Sequence, residues 1–413
     1  MSADRIRHQL DDTAANVAKW ASSGAMALTG YPEEPLGPPT RLVDAVTRLG
    51  RRFGLGEIDT LALLGERAAL MGLWRRGPVS CGGSCRLLPA SHDGWMAVSL
   101  PRAEDLDLVP AWLELSGDPP TSVPATWSAV TKSVAERDSG KLVDRARLLG
   151  LAVCRLGEVA PTTPSITEIP LGDAPGRESA ADLLVVDLSA LWAGPLCGAL
   201  LAQAGASVVK VESTARPDGA RRGPARFFDL LNGMKRSVAL DFAREKDLRV
   251  LQQLVKRADV VIEASRPRAL AQLGIDAAAI VRAGGPQVWI SITGYGRGGN
   301  GADRIAFGDD AAVGGGLVAW ARPGSTPTFC ADAVGDPLTG LTAASACLDA
   351  LSRGGRWLLD VSMAAVCASM AGPTLPIRED VTIAQPWART AARAAPELGM
   401  DTAGVLAKLG IEA

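Results

Sequence analysis

The residues of this chain best suited to chemistry stand next to glycine and proline. In DLSALWAGPLCG (187–198), Pro195 fits the first turn of a helix, where its missing amide costs nothing, and Gly194 lets a ligand approach the backbone. The bland reading is a strand-to-helix turn that binds nothing. Gly335-Asp336-Pro337 has the form of a helix start, with Asp336 as the cap, and a carboxylate at a helix N-terminus is expected to stay ionised near neutral pH. Asp309 and Asp310 read as a turn and a cap. Cys81 and Cys85 frame a Cys-Gly-Gly-Ser-Cys segment without a second ligand pair. The two histidines, His8 and His92, are not placed to complete a zinc site, so no metal is expected. The 187–198 loop does not fit GxGxxG and no GxxxxGK[ST] follows a strand, which argues against a dehydrogenase or a nucleotide triphosphatase.

These residues need elements to hold them. With 413 residues, 47% of them hydrophobic and 21% charged, the chain has the composition of a globular protein with ample core and room for two domains. A balance of 43 basic against 45 acidic residues leaves no electrostatic grip for nucleic acid. The amino terminus carries charges without an apolar segment behind it, and no run of 18 apolar residues occurs, so neither membrane insertion nor secretion is expected. Seven scattered cysteines suit reduced thiols. These features together set the expectation of a cytoplasmic protein.

Downstream of residue 182, the runs LLVVDL (183–188), SVVKVE (207–212), SVALDF (237–242), DVVIEA (259–264), QVWISI (287–292) and RWLLDVSM (356–363) alternate with helical stretches. Runs apolar along most of their length belong to strands covered on both faces, and the alternation implies right-handed βαβ units. The fold class expected is α/β: an open, doubly wound, mostly parallel, Rossmann-like sheet with a second, smaller α+β domain. VAPTTPSITEIPLGDAPGRES (159–179), broken by prolines, reads as the linker, bounded at 161–181. Residues 1–160 form the smaller domain, with helices over 42–53, 61–73, 106–115 and 141–149 and a short strand at Trp95. A weak internal echo links SGAMALTGYPEEP (23–35) to GGLVAWARPGSTP (315–327); were it genuine, residues 1–80 would be the remnant of a second copy.

Several segments in register, DLSALWAGPLCGALLAQAGASVVKVES (187–213), LNGMKRSVALDF (231–242), ADVVIEASRPRALAQLG (258–274), ISITGYGRGG (290–299), GDDAAVGGGLVAW (308–320) and ADAVGDPLTGLTAASA (331–346), resemble the large domain of the family III CoA-transferases. HDGWMAVSLPRAEDLDLVPAWLEL (92–115) and residues 125–159 resemble the same family's small domain, here placed before the large one. The resemblance implies a CoA-transferase that moves coenzyme A from an acyl-CoA donor to a carboxylic acid acceptor, with Asp336 as nucleophile through an aspartyl anhydride and an aspartyl-CoA thioester. It implies coenzyme A contacts at Leu191, Trp192 and Ala193, where the indole could pack on the adenine or pantetheine, and phosphate contacts at Lys235, Arg236 and Arg266. Coenzyme A enters as substrate with no tightly bound cofactor, and the assembly implied is a homodimer. Ala264, Arg268 and Gln272 depart from the family's pattern. That departure and the reordered domains leave open a non-catalytic coenzyme A-binding or assembly subunit. The racemases of the superfamily pair a His with the Asp; Asp309 stands where that His would be, so racemisation is not expected.

Overall fold

The computed structural model describes residues 3–412 apart from 92–93 and 378–379, with the side chains of 3–10 also undescribed. His8 and His92 therefore lie outside the described side chains. No described helix is long and apolar enough to cross a membrane.

A three-stranded antiparallel sheet forms from β1 (Cys85–Pro89), β2 (Trp95–Ser99) and β3 (Ala152–Arg155) in the order β1-β2-β3. The helices Ala103–Trp112, Val123–Glu136 and Ser139–Leu149 cover it, and the small domain has its own core of Met96, Val98, Trp112, Val130 and Val153.

The large sheet has seven strands. β4 (Ile166–Gly172), β5 (Leu184–Asp187), β6 (Ser207–Ser213), β7 (Arg236–Leu240), β8 (Val260–Glu263) and β9 (Val288–Thr293) are joined by β12 (Arg356–Ser362), in the order β4-β12-β9-β8-β5-β6-β7. A separate two-stranded hairpin, β10 (Ala319–Trp320) and β11 (Pro327–Thr328), lies outside it. All six strands anticipated from the apolar runs are present and parallel to one another. Successive residues feed opposite faces, as the two-residue strand period requires. Val185, Val208, Ile262 and Ile290 enter one core, while their neighbours Val186, Val209, Val261 and Trp289 enter the other.

Two features were not read from the sequence. The proline-rich linker supplies β4, which pairs antiparallel with β12 at the sheet's edge. Pro170 is compatible with it because an edge strand can leave an amide out of the ladder. The helix expected over 61–73 divides into Glu57–Ala62 and Glu66–Met71, with Gly65 as the N-cap of the second.

The front of the chain packs on the large sheet domain rather than on the small sheet. Val17, Trp20, Leu42 and Leu61 share one core with Leu196, Leu200 and Leu338. The echoing segments each make a tight antiparallel turn, through the Gly30↔Pro35 bridge and through β10–β11. They also touch: the Tyr31 hydroxyl donates to Thr326 O at 2.9 Å.

Strands β6 and β7 extend the sheet to one side of β5, and β8, β9 and β12 extend it to the other. The switch point is thus between β5 and β8, where an open α/β sheet leaves a crevice at its carboxyl edge.

Candidate active site

At that crevice, the loop after β5 is fixed from below by a buried ionic network. Asp187, the last residue of β5, accepts from Ser189 N at 2.9 Å and from the Ser189 hydroxyl, and its other oxygen accepts from Lys235 Nζ at 2.7 Å. Lys235 also donates to Pro195 O at 2.8 Å and Asn232 Oδ1 at 3.0 Å. Lys210 donates to Ser189 O and pairs with Asp218, each at 2.9 Å, and Asp218 accepts from Leu191 N at 2.9 Å. Burial opposes the charge of Asp187, but Lys235 and Lys210 outweigh it and hold its carboxyl below the ordinary range. Burial likewise lowers the Lys235 ammonium. The network holds Leu191 in the left-handed region at φ 68°, a conformation that costs a non-glycine residue roughly 1–3 kcal/mol.

Trp192 and Ala193 follow. Trp192 is buried, meets the Phe227 ring edge-on at a 5.0 Å centroid distance, and has the Arg67 guanidinium 5.3 Å from its own centroid. Ala193 begins the helix Ala193–Gln203, which packs on the helix Gly335–Arg353. Gly340 permits the contact, since a Cβ there would lie 2.5 Å from Ala193 O.

Asp336 is not the cap expected of it: Val334 is the N-cap, and Asp336 stands in the first turn of Gly335–Arg353, with its carboxylate turned to the crevice. One carboxylate oxygen accepts from Gly308 N at 3.1 Å, and the Ala193 amide also favours its charge. Burial pushes its carboxyl up to about 6, against the pull of Arg67 and these amides. The helix terminus alone therefore does not keep it at an ordinary value, yet at pH 7 it is still predominantly the carboxylate.

Asp309 and Asp310 open the helix Gly308–Gly314. Asp310 caps it, accepting from Phe307 N at 3.0 Å. Asp309, 8% exposed, lines the crevice and accepts from Ala333 N at 3.1 Å; burial and the nearby Asp332 push its carboxyl up to about 7. Ala331 and Ala333, on either side of Asp332, have φ of 55° and 43°, so backbone strain concentrates just ahead of Asp336.

The crevice is a cavity of about 630 Å³ that adjoins an outer chamber of about 840 Å³, with Arg102, Arg216, Arg266 and Ile305 lining both. The inner part is walled by Asp336, Asp309, Trp192, Phe227, Arg67 and Met71. Ser84, Ser99 and Arg102 of the small domain close one side, so both domains contribute. Six arginines line the outer chamber: Arg102, Arg147, Arg216, Arg222, Arg266 and Arg268. Arg102 is engaged with Asp105 and Arg268 with Asp303. Among the described residues no carboxylate pairs with the remaining four.

The structure thus brings Asp336, Leu191, Trp192, Ala193 and Arg266 to one cavity. It does not bring Lys235 and Arg236 there. Lys235 is spent inside the domain on Asp187, and Arg236 donates to Ser207 Oγ at 2.9 Å. Sequence reasoning passed over Arg67, Arg102, Arg147 and Arg216. Arg102 and Arg147 lie inside segments whose likeness to the family's small domain was visible; Arg67 and Arg216 carry no local signal. Cys81 and Cys85 are buried free thiols, and the described residues include no cluster of three or more side chains suited to a metal.

Residues 181–402 match CoA-transferase family III, just over half of the chain. The chain belongs to this family. It is 31% identical over 178 residues to a succinyl-CoA–D-citramalate CoA-transferase of Chloroflexus aurantiacus, covering 41% of this chain and 44% of that one. It is also 31% identical over 195 residues to a succinate–glutarate CoA-transferase of Agrobacterium fabrum, covering 43% and 48%. The chain spans less than half the length of these relatives. A solved structure from Mycobacterium tuberculosis, described as hypothetical protein Rv3272, aligns with 48% of this chain and 58% of its own at 29% identity and a TM-score of 0.43.

Proposed function

We propose that this chain is an acyl-CoA:carboxylate CoA-transferase with Asp336 as its nucleophile. The observation that carries the reading is a carboxylate, held by backbone amides, in a cavity that shares a wall with an arginine-lined chamber. An oxygen of Asp336 attacks the thioester carbonyl and expels coenzyme A thiolate, leaving a mixed anhydride. The thiolate attacks the aspartyl carbonyl, releasing the donor acid and forming an aspartyl-CoA thioester. The acceptor carboxylate attacks that carbonyl and expels the thiolate again, and the thiolate takes the acceptor's acyl group from the second anhydride. Asp336 is returned as a carboxylate, with acyl activation conserved throughout.

Coenzyme A lies along the two chambers in this reading. Its reactive end reaches Asp336 past Leu191, Trp192 and Ala193, and its phosphates meet Arg216, Arg222 and Arg266. Arg268, a departure from the family pattern, also lines that chamber, paired there with Asp303. The seven unpaired thiols suit a reducing cytoplasm, and the family resemblance suggests a homodimer, for which solution mass is the test.

Incubation with an acyl-CoA followed by hydroxylamine or borohydride and peptide mass spectrometry tests the mechanism. A modified Asp336 is expected. Measurable coenzyme A binding with no adduct across a panel of thioesters would replace this reading with that of a binding subunit.

A further inference from the structure

Arg67 lies outside residues 181–402, the part that matches the family, and no motif singles it out. In the folded chain it stands among carboxylates. Its Nε and Nη2 donate to the two oxygens of Asp332 at 2.9 and 2.6 Å, and Asp332 is fully buried. Its charge also acts on Asp309 and Asp336, and it lines the inner cavity beside Trp192. The helix that carries it is held in place by the preceding residue, since Glu66 takes both Nε and Nη2 of Arg389 at 2.6 and 2.9 Å.

We propose that Arg67 is a positioning residue for the nucleophile, the guanidinium that supplies counter-charge to Asp336 while being partly neutralised by Asp332. The proposal rests on the reading of Asp336 as nucleophile. Asp336 is faced by Arg67, by the amides of Gly308 and Ala193, by the carboxyls of Asp309, Asp310 and Asp332, and by the Cys367 thiol. Arg67 is the one cation among these groups. Without it the aspartates face one another uncompensated, which favours the protonated, unreactive form of Asp336. The front of the chain is therefore part of the catalytic centre.

The sign of the effect separates this role from a merely structural one. Asp336 must be ionised to attack, so activity rises with pH through its titration, which lies at about 6. Arg67→Met moves this limb to higher pH, and Asp332→Asn, which frees the charge of Arg67, moves it to lower pH. A displacement of one unit makes the loss in Arg67→Met about tenfold greater below the limb than on the plateau.

The experiment is the pH profile of kcat/KM for wild type, Arg67→Met, Arg67→Lys and Asp332→Asn in the full chain, with Asp336→Asn alongside. Opposite displacements in Arg67→Met and Asp332→Asn, with Arg67→Lys returning toward wild type, are the expected result. Equal losses at every pH in both variants overturn the proposal. Should Arg67→Met not fold, Arg67→Lys and Asp332→Asn decide it by the presence or absence of a displaced limb. Full turnover by Asp336→Asn would instead overturn the reading beneath it, a result distinct from an inactive Asp336→Asn with unmoved limbs elsewhere.

Discussion

Replacing Lys235 by Met tests the foundation of the site. Lys235 and Asp187 are 1% and 0% exposed, and with Lys210 and Asp218 they form a buried set of two cations and two anions. Removing Lys235 leaves a net negative charge beneath the β5 loop and takes a donor from Pro195 O. Breaking a buried pair in this way costs about 3–5 kcal/mol, because the surviving charge has neither water nor partner. For a domain of this size that lowers the melting temperature by roughly 6–20 °C.

The penalty depends on pH. In the wild type Asp187 is held below its ordinary value, so its stabilising contribution is present above the unfolded pKa of about 3.9 and is lost as pH falls through the folded one. In Lys235→Met, burial raises Asp187 instead, and protonation relieves the unpaired charge. The deficit is therefore larger at pH 8 than at pH 5.5. Urea denaturation at both values measures it, and adding Asp187→Asn should recover part of the loss. A variant within 1 kcal/mol of wild type at pH 8 but with weakened coenzyme A binding would refute the reasoning, since Lys235 would then be a phosphate contact.

On the proposed mechanism, Asp336→Asn keeps the shape but lacks a nucleophile, so transfer is expected to fall by at least about 10³-fold while calorimetry still detects coenzyme A. Gly308→Ala places a methyl 2.4 Å from the Asp336 carboxylate and 2.1 Å from Ala333 O, so we expect about 1–3 kcal/mol of destabilisation by denaturation and loss of turnover. Arg266→Ala removes an exposed cation worth about 1 kcal/mol, which weakens coenzyme A roughly fivefold by calorimetry, with a shallower salt dependence. Leu338→Ala, at a fully buried position, should cost about 2–5 kcal/mol in urea denaturation.

The large sheet was legible because its strands are buried on both faces, which writes runs such as VVIE directly into the sequence. β4 was hidden because an edge strand with Pro170 and exposed Glu168 has no such run. The Asp336 turn and the loop at 191–193 showed through local chemistry and family likeness. Lys235 illustrates the limit: a lysine beside a strand is the same letter whether it faces solvent or an internal aspartate, and only the fold decides. Arg67 could not be read at all, since its meaning comes from Asp332, 265 residues further along.

That separation bears on the birth of the protein. At a synthesis rate of about 5–20 residues per second, Arg67 leaves the ribosome on the order of tens of seconds before Asp332 exists. Trp20, Leu42 and Leu61 likewise await Leu196 and Leu200, made about midway through that interval, and Leu338, made just after it. The nascent front half thus carries exposed greasy surface and an unmatched charge for most of its translation. It is the stretch on which holdase chaperones would act, and slower codons between it and Leu338 would lengthen the exposure.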